Sequence, residues 1–90
     1  MSEESVIQGM EEAVQSVHKG LDGKEGGPFG AAVLYQGKVI AVAHNTVLKE
    51  KDPTAHAEIN AIRSAARYLG THLLSECTLL ATAEIGRAHV

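Results

Sequence analysis

The chain has few of the residues that mark several large classes of protein. Its 90 residues include one cysteine, so no internal disulfide can form, and one thiol cannot build a cysteine zinc cage. Aromatic residues make up 3% and tryptophan is absent, which leaves little for stacking bases along a nucleic-acid strand. Because no unbroken apolar run exceeds five residues, a membrane-spanning helix is excluded as well.

The chain also lacks an excess of positive charge. A formal net charge of -3 provides no basic surface for a nucleic-acid backbone. The segment Met1–Ser5 is acidic where a signal peptide would be basic and then apolar. We therefore expect a cytoplasmic α/β domain that acts on a small molecule, and we expect neither a nucleic-acid nor a membrane partner.

The apolar pattern predicts four elements in the order helix, hairpin, helix and strand. The first twenty residues have apolar residues at steps of three and four, which predicts a helix with one buried stripe. Residues 29–35 and 39–44 are short apolar runs around a glycine turn, typical of a hairpin buried on both faces. The helical stripe comprises Val6, Met10, Ala13, Val14, Val17 and Leu21.

A second helix and a third strand follow the hairpin. Asp52 is a good N-cap, Pro53 suits the first helical position and Gly70 suits the end of the helix. The third run, residues 77–82, predicts a strand. The predicted buried face of the second helix comprises Ala55, Ile59, Ile62, Ala66 and Leu69.

The residues most able to support catalysis are His56 and Glu58, near the start of the second helix. Side chains two positions apart do not face each other on a helix, so they make a poor pair of ligands for one ion. They suit a division of labour, in which the imidazole binds a metal and the carboxylate moves protons to and from its water. From spacing alone, a solvated pair at a helix start is the simpler interpretation.

Three separated motifs together resemble the cytidine deaminase-like superfamily. They are Gly27–Ala31, Ala43–Asn45 and Asp52–Arg63. Guanine deaminases and bacterial nucleoside deaminases are the most similar members, favoured over tRNA adenosine deaminases by residues 26–31 and 69–71. The resemblance implies that residues 1–84 are the N-terminal part of one deaminase domain, a fragment of a three-layer α/β/α fold.

The resemblance also implies roles for individual residues. His56 would bind Zn²⁺ and Glu58 would be the proton shuttle of a hydrolytic deamination, with guanine to xanthine plus ammonia as the best candidate reaction. Asn45 would hydrogen-bond the base, while Phe29 and the backbone at Ala57 would form the pocket wall. A full-length member would be a homodimer that binds a nucleobase or nucleoside.

The sequence departs from the family pattern after Glu84. A Pro-Cys-x-x-Cys motif belongs there, but Gly86 and His89 occupy the two cysteine positions. Because a catalytic zinc site needs about three protein ligands, we expect an incomplete site and an inactive chain. We expect residues 85–90 to be a non-native tail.

Two other interpretations stay open from the sequence. The chain could be a non-enzymatic α/β module that binds a nucleobase or a partner protein, or a fragment of a tRNA adenosine deaminase. At single positions, Asn45 could be a plain turn residue and Cys77 a buried, inert thiol. For His44, packing or solvent contact is a better interpretation than metal binding.

The tail hypothesis predicts a specific result at the DNA level. When one G is added in front, the bases of a common short-read sequencing adapter, read as GAG ATC GGA AGA GCA CAC GTC, translate to the same amino acids as residues 84–90. We interpret the tail as adapter bases that were read through into the gene sequence. Amplification of the locus from source DNA should therefore give Pro-Cys-x-x-Cys codons after Glu84, or after Ala83. Genomic codons for residues 85–90 followed by a stop codon would refute this explanation.

Overall fold

The computed structural model describes residues 3–83. It confirms the predicted order of helix, hairpin, helix and strand, and it adds one short helix after the hairpin. None of the helices in this part of the chain is long and apolar enough to cross a membrane. The elements are α1 (Glu3–Asp22), β1 (Phe29–Tyr35), β2 (Lys38–His44), α2 (Val47–Glu50), α3 (Ala57–Leu69) and β3 (Cys77–Ala83).

The three strands form an antiparallel sheet in the order β2-β1-β3. The central strand pairs Ala31 with Ala43 of β2 and with Ala81 of β3. Burial on both faces is confirmed for β1, in which residues 30–34 are all buried. It is wrong for β2, where only Ala41 is buried, because β2 is an edge strand with a neighbour on one side.

The helices α1 and α3 cover opposite faces of the sheet, as alternation along β1 requires. On one face, α1 packs against Gly30 through Ala13 and Val17. On the other face, α3 packs against Ala31 and Val33. The result is the three-layer arrangement expected from the resemblance.

The residues that each helix buries differ from the predicted stripes. Small side chains face the sheet, because they let each helix axis approach closely, and the larger apolar residues lie on the flanks. Ile59 and Ile62, predicted to be buried, are 36% and 41% exposed. The buried residues are Ser5, Gly9, Ala13, Val17 and Gly20 on α1, and Ala57, Ala61 and Ala65 on α3.

The predicted start of the second helix is also wrong. Asp52 caps a turn instead of a helix, since its Oδ1 accepts hydrogen bonds from the backbone N–H and the hydroxyl of Thr54. The helix begins at Ala57 with His56 as its N-cap residue. Gly70 ends it in a left-handed conformation, as predicted (φ 71°).

Close packing of α1 on β1 makes a prediction about Gly30. A Cβ at this position would lie 2.5 Å from the carbonyl oxygen of Ala13, a backbone atom that cannot move without shifting α1. We expect Gly30→Ala to lower the free energy of unfolding by about 1–3 kcal/mol, the usual cost of overpacking. Urea denaturation followed by circular dichroism measures this loss.

Gly27→Ala is the matched control, because its Cβ would meet only the Phe29 ring at 3.5 Å, an ordinary contact. Equal midpoints for the two variants would contradict the packing argument.

Candidate functional site

Four of the predicted site residues line one cavity at an end of the sheet. The cavity has a volume of about 260 Å³ and is lined by Phe29, Asn45, His56 and Glu58. These side chains come from the first residue of β1, the residue after β2, and the start of α3. The structure therefore brings together residues as far apart in sequence as Phe29 and Glu58.

The first turn of α3 presents His56 and Glu58 to solvent on either side of the buried Ala57. His56 has an extended backbone (φ -74°, ψ 156°), and its N–H donates to the carbonyl of Thr54 at 2.8 Å. Within residues 3–83, neither the His56 ring nor the Glu58 carboxylate makes a hydrogen bond. Both groups therefore keep their donor and acceptor atoms available for a ligand.

The side chain of Asn45 is held in one orientation. Its backbone N–H donates to the carbonyl of Phe29 at 3.1 Å, and its Oδ1 accepts the N–H of Val47 at 3.0 Å. A side chain at Gly26 would collide with this same oxygen. Because Oδ1 is occupied, the Nδ2 amino group is the part of Asn45 that is left to donate to a ligand.

A hydrogen-bonded chain behind the cavity was not found by sequence reasoning. The Nε2 of His44 lies 2.8 Å from Oε1 of Glu25, and its Nδ1 lies 2.7 Å from the hydroxyl of Ser16. Since a carboxylate can only accept, Nε2–H donates to Glu25, and in the neutral ring the Ser16 hydroxyl donates to Nδ1. These hydrogen bonds join α1 and the loop of residues 23–28, which carries Glu25, to the end of β2. They place His44 in packing, as expected.

Glu25 also binds the segment after β2. Its carbonyl accepts the N–H groups of Leu48 and Lys49 at 3.0 and 2.9 Å. The His44 hydrogen bond lowers the pKa of its carboxyl, partial burial opposes this, and the charge of Lys49, 3.7 Å away, lowers the pKa further. Glu25 thus links its own loop to the end of β2 and to α2, the two elements on either side of Asn45.

The described residues do not make a zinc site by themselves. Residues 3–83 contain no group of three or more His, Cys, Asp or Glu side chains that could hold a metal ion. Cys77 pairs with Tyr35 at the far end of β1, roughly 20 Å from Phe29 at about 3.3 Å per residue. Gly86 and His89 lie outside the described residues, so His56 is the one imidazole that this part of the chain supplies to the cavity.

Comparisons with a family model, with known sequences and with solved structures all point to deaminases. The model of the family described as "Cytidine and deoxycytidylate deaminase zinc-binding region" matches residues 3–84. Guanine deaminase of Bacillus subtilis is 41% identical over 75 residues, covering 83% of this chain and 48% of the relative. Its solved structure has a TM-score of 0.78 at 40% identity and covers 90% of this chain and 50% of that chain.

Two further proteins broaden the comparison. A tRNA-specific adenosine deaminase of Aquifex aeolicus is 49% identical over 57 residues, covering 63% of this chain and 38% of the relative. A solved structure in complex with 2,6-diaminopurine has a TM-score of 0.73 at 33% identity, covering 82% of this chain and 42% of that chain. The chain thus spans about half or less of the length of these proteins.

The lowered pKa of Glu25 predicts a pH dependence of stability. Ionised Glu25 stabilises the fold at pH values above its ordinary pKa of about 4.5, and this contribution is lost as the pH falls through the lowered value. We expect Glu25→Gln, which cannot titrate, to lose less stability than the unmodified protein between about pH 7 and pH 3. Urea denaturation at each pH measures the difference.

The control is Glu11→Gln, which removes an exposed carboxylate from α1. Asp52, whose pKa is lowered by the backbone N–H and then the hydroxyl of Thr54, titrates in all three proteins. The difference between the variants therefore reports Glu25 together with its hydrogen-bond partner His44. An unchanged pH profile in Glu25→Gln would contradict the prediction.

Proposed function

Since the chain belongs to the cytidine and deoxycytidylate deaminase family, we propose that it carries the base-binding and proton-transfer half of a hydrolytic deaminase active site. Guanine is the best candidate substrate. The observation that carries this proposal is the cavity in which an aromatic ring, an oriented amide, an imidazole and a carboxylate converge. Each of these groups has a distinct task in the deamination of a planar base.

Phe29 and Asn45 are the recognition groups. The Phe29 side chain is 50% exposed at the mouth of the cavity, where it can contact the face of a base. The Nδ2 amino group of Asn45 can donate to a ring nitrogen or carbonyl at the edge of the base, as its oxygen already accepts from Val47. An aromatic face and an edge donor together orient a planar heterocycle.

Glu58 is the proton-transfer group. Deamination of guanine breaks the bond between the ring carbon and its amino group and forms a bond from that carbon to a water oxygen. One proton from water goes to the ring nitrogen, and the amine leaves as ammonia after protonation. An exposed carboxylate beside the cavity can carry the first water proton to the ring nitrogen, and then the second proton, from the added hydroxyl, to the leaving amine.

The family is a zinc-binding one, and zinc activates the attacking water in such enzymes. Among the described residues of the cavity, His56 is the one imidazole that would hold the ion, and one ligand does not make a zinc site. The proposed mechanism therefore includes no step at the metal. Gly86 has no side chain to contribute, and His89 could offer one imidazole. The family match ends at residue 84, which supports the proposal that residues 1–84 are deaminase sequence and residues 85–90 a non-native tail.

Guanine is preferred to adenosine in tRNA for two reasons. Residues 26–31 and 69–71 resemble guanine deaminases more than tRNA adenosine deaminases. The net charge of -3 is also unfavourable for a polyanionic substrate. We further propose a cytoplasmic location, and a homodimeric full-length protein as the family resemblance implies.

Restoring the two cysteines tests the proposal directly. The unmodified chain should retain little zinc after dialysis, because one or two imidazoles cannot replace one imidazole and two thiolates. The double variant Gly86→Cys/His89→Cys should bind zinc at one equivalent. Metal analysis after dialysis measures both, and ammonia release from guanine measures activity.

Two further substitutions in the double variant separate the roles of the site residues. His56→Ala should abolish zinc binding, whereas Glu58→Gln should keep the metal and lower any guanine turnover by about 10²–10⁴-fold. Loss of zinc in Glu58→Gln would make Glu58 a ligand and contradict the mechanism. Guanine binding without turnover in the metal-loaded double variant would favour a non-enzymatic module, and turnover of tRNA alone would favour the adenosine deaminase.

A further inference from the structure

Asn60 makes a set of hydrogen bonds that no part of the proposed mechanism uses. It lies in the first turn of α3, half-buried, and its Nδ2 is within hydrogen-bond distance of three oxygen atoms. These are the carbonyl of His44 at 3.0 Å, the hydroxyl of Thr46 at 2.9 Å and the carbonyl of Ala55 at 3.3 Å. One amino group therefore joins α3 to two other segments.

The three acceptors directly flank two residues of the cavity. His44 and Thr46 are the neighbours of Asn45 on either side, and Ala55 immediately precedes His56. The backbone N–H of Thr46 donates to the carbonyl of Ala55 at 3.0 Å, so the same two segments are also joined to each other. Asn60 does not line the cavity, and it can affect a ligand there only through Asn45 and His56.

We propose that Asn60 is a positioning residue, which sets the distance between the candidate base-binding residue Asn45 and the candidate metal ligand His56. The role in base and metal binding rests on the proposed function, whereas the mechanical role rests on the contacts alone. The position needs a donor, because three oxygen atoms face it, and the amino group of Asn60 supplies two N–H groups that they share. A carboxylate would face the two carbonyl oxygens without a proton to share.

The surroundings of Thr46 support this role. Its side chain is buried (9% exposed), and its hydroxyl donates to the carboxylate of Glu50 while it accepts from Asn60. Loss of the Asn60 donor would remove one hydrogen bond each from the His44 carbonyl, the Ala55 carbonyl and the buried Thr46 hydroxyl, and the loss of a partner is costly for buried polar groups. The segment that carries Asn45 would then move away from α3, although the sheet itself would keep its pairing.

Amide hydrogen exchange in the 90-residue chain tests the mechanical role without any ligand. The N–H of Val47 reports the orientation of Asn45, because it donates to Oδ1 of that residue, and the N–H of Thr46 reports the contact with Ala55. In Asn60→Asp we expect both amides to exchange about tenfold faster, corresponding to the loss of roughly one hydrogen bond. The amide of Ala32, in the middle of the sheet, should keep its protection.

The matched control is Gln15→Glu, the same amide-to-carboxylate change at an exposed position of α1. Thr46→Val is a milder second variant, which removes one acceptor and should loosen the Val47 amide by a smaller factor. If Asn60→Asp does not fold, this variant decides the question. Faster exchange of Ala32 by the same factor as Val47 would show a general structural role and overturn the proposal, as would unchanged exchange at Thr46 and Val47.

The link to function is tested separately in the Gly86→Cys/His89→Cys background. Addition of Asn60→Asp should weaken guanine binding about tenfold, the scale set by one oriented hydrogen bond to a ligand. If that background binds no guanine, the proposed function fails while the exchange data still decide the role of Asn60. Normal guanine affinity together with a loosened Val47 amide would show that Asn60 does not act on the site.

Discussion

The site depends on the antiparallel pairing of β1 with β2. In an antiparallel pair, the first residue of one strand lies beside the last residue of the other. Phe29 therefore lies next to Asn45, and the hydrogen bond from the Asn45 N–H to the Phe29 carbonyl continues the ladder by one step. Burial of Ala57 against the same sheet brings the start of α3 to this end, with His56 and Glu58 on either side. Each side chain of the cavity is thus placed by a backbone element and not by a flexible loop.

Small residues make this arrangement possible. Gly30 lets α1 approach the central strand, and Gly20 lets it approach the ring of His44, where a Cβ would collide. On the opposite face, Ala57, Ala61 and Ala65 bring α3 close enough for Asn60 to reach the end of β2. The cost is that larger apolar side chains such as Ile62 remain partly exposed on the flank. Close approach of the backbones, more than apolar area, therefore determines which helix faces are buried.

This preference explains where sequence reasoning succeeded and where it failed. Periodicity gave the element types and their order, and the motif resemblance gave the four side chains that converge on the cavity. The periodicity argument assigned the buried helix faces by the size of apolar residues, and it therefore placed Ile59 and Ile62 in the core instead of Ala57, Ala61 and Ala65. Asp52 can cap a helix or a turn with the same oxygen, and only the fold shows that it caps a turn. The contacts of His44 with Ser16 and of Asn60 with His44 span 28 and 16 positions, and no local pattern indicates them.

The contacts around Asn45 and His56 differ in kind, and this difference separates recognition from chemistry. The Asn45 side chain is fixed by the Val47 N–H and by close contact with Gly26. Its neighbour His44 is held by hydrogen bonds from its ring to Glu25 and from Asn60 to its carbonyl. His56 is fixed through its backbone alone, and its ring makes no hydrogen bond within residues 3–83. A base-binding amide gains from being oriented before the ligand arrives, because the entropy of ordering is then already lost on folding. An imidazole that is to bind a metal has to keep one ring nitrogen free for the ion, and in metal sites its other ring nitrogen usually donates to a group that orients the ring. The described residues therefore hold the candidate base-binding amide of Asn45 in a fixed orientation, and they leave both ring nitrogens of the candidate metal ligand His56 free for an ion and for such a partner.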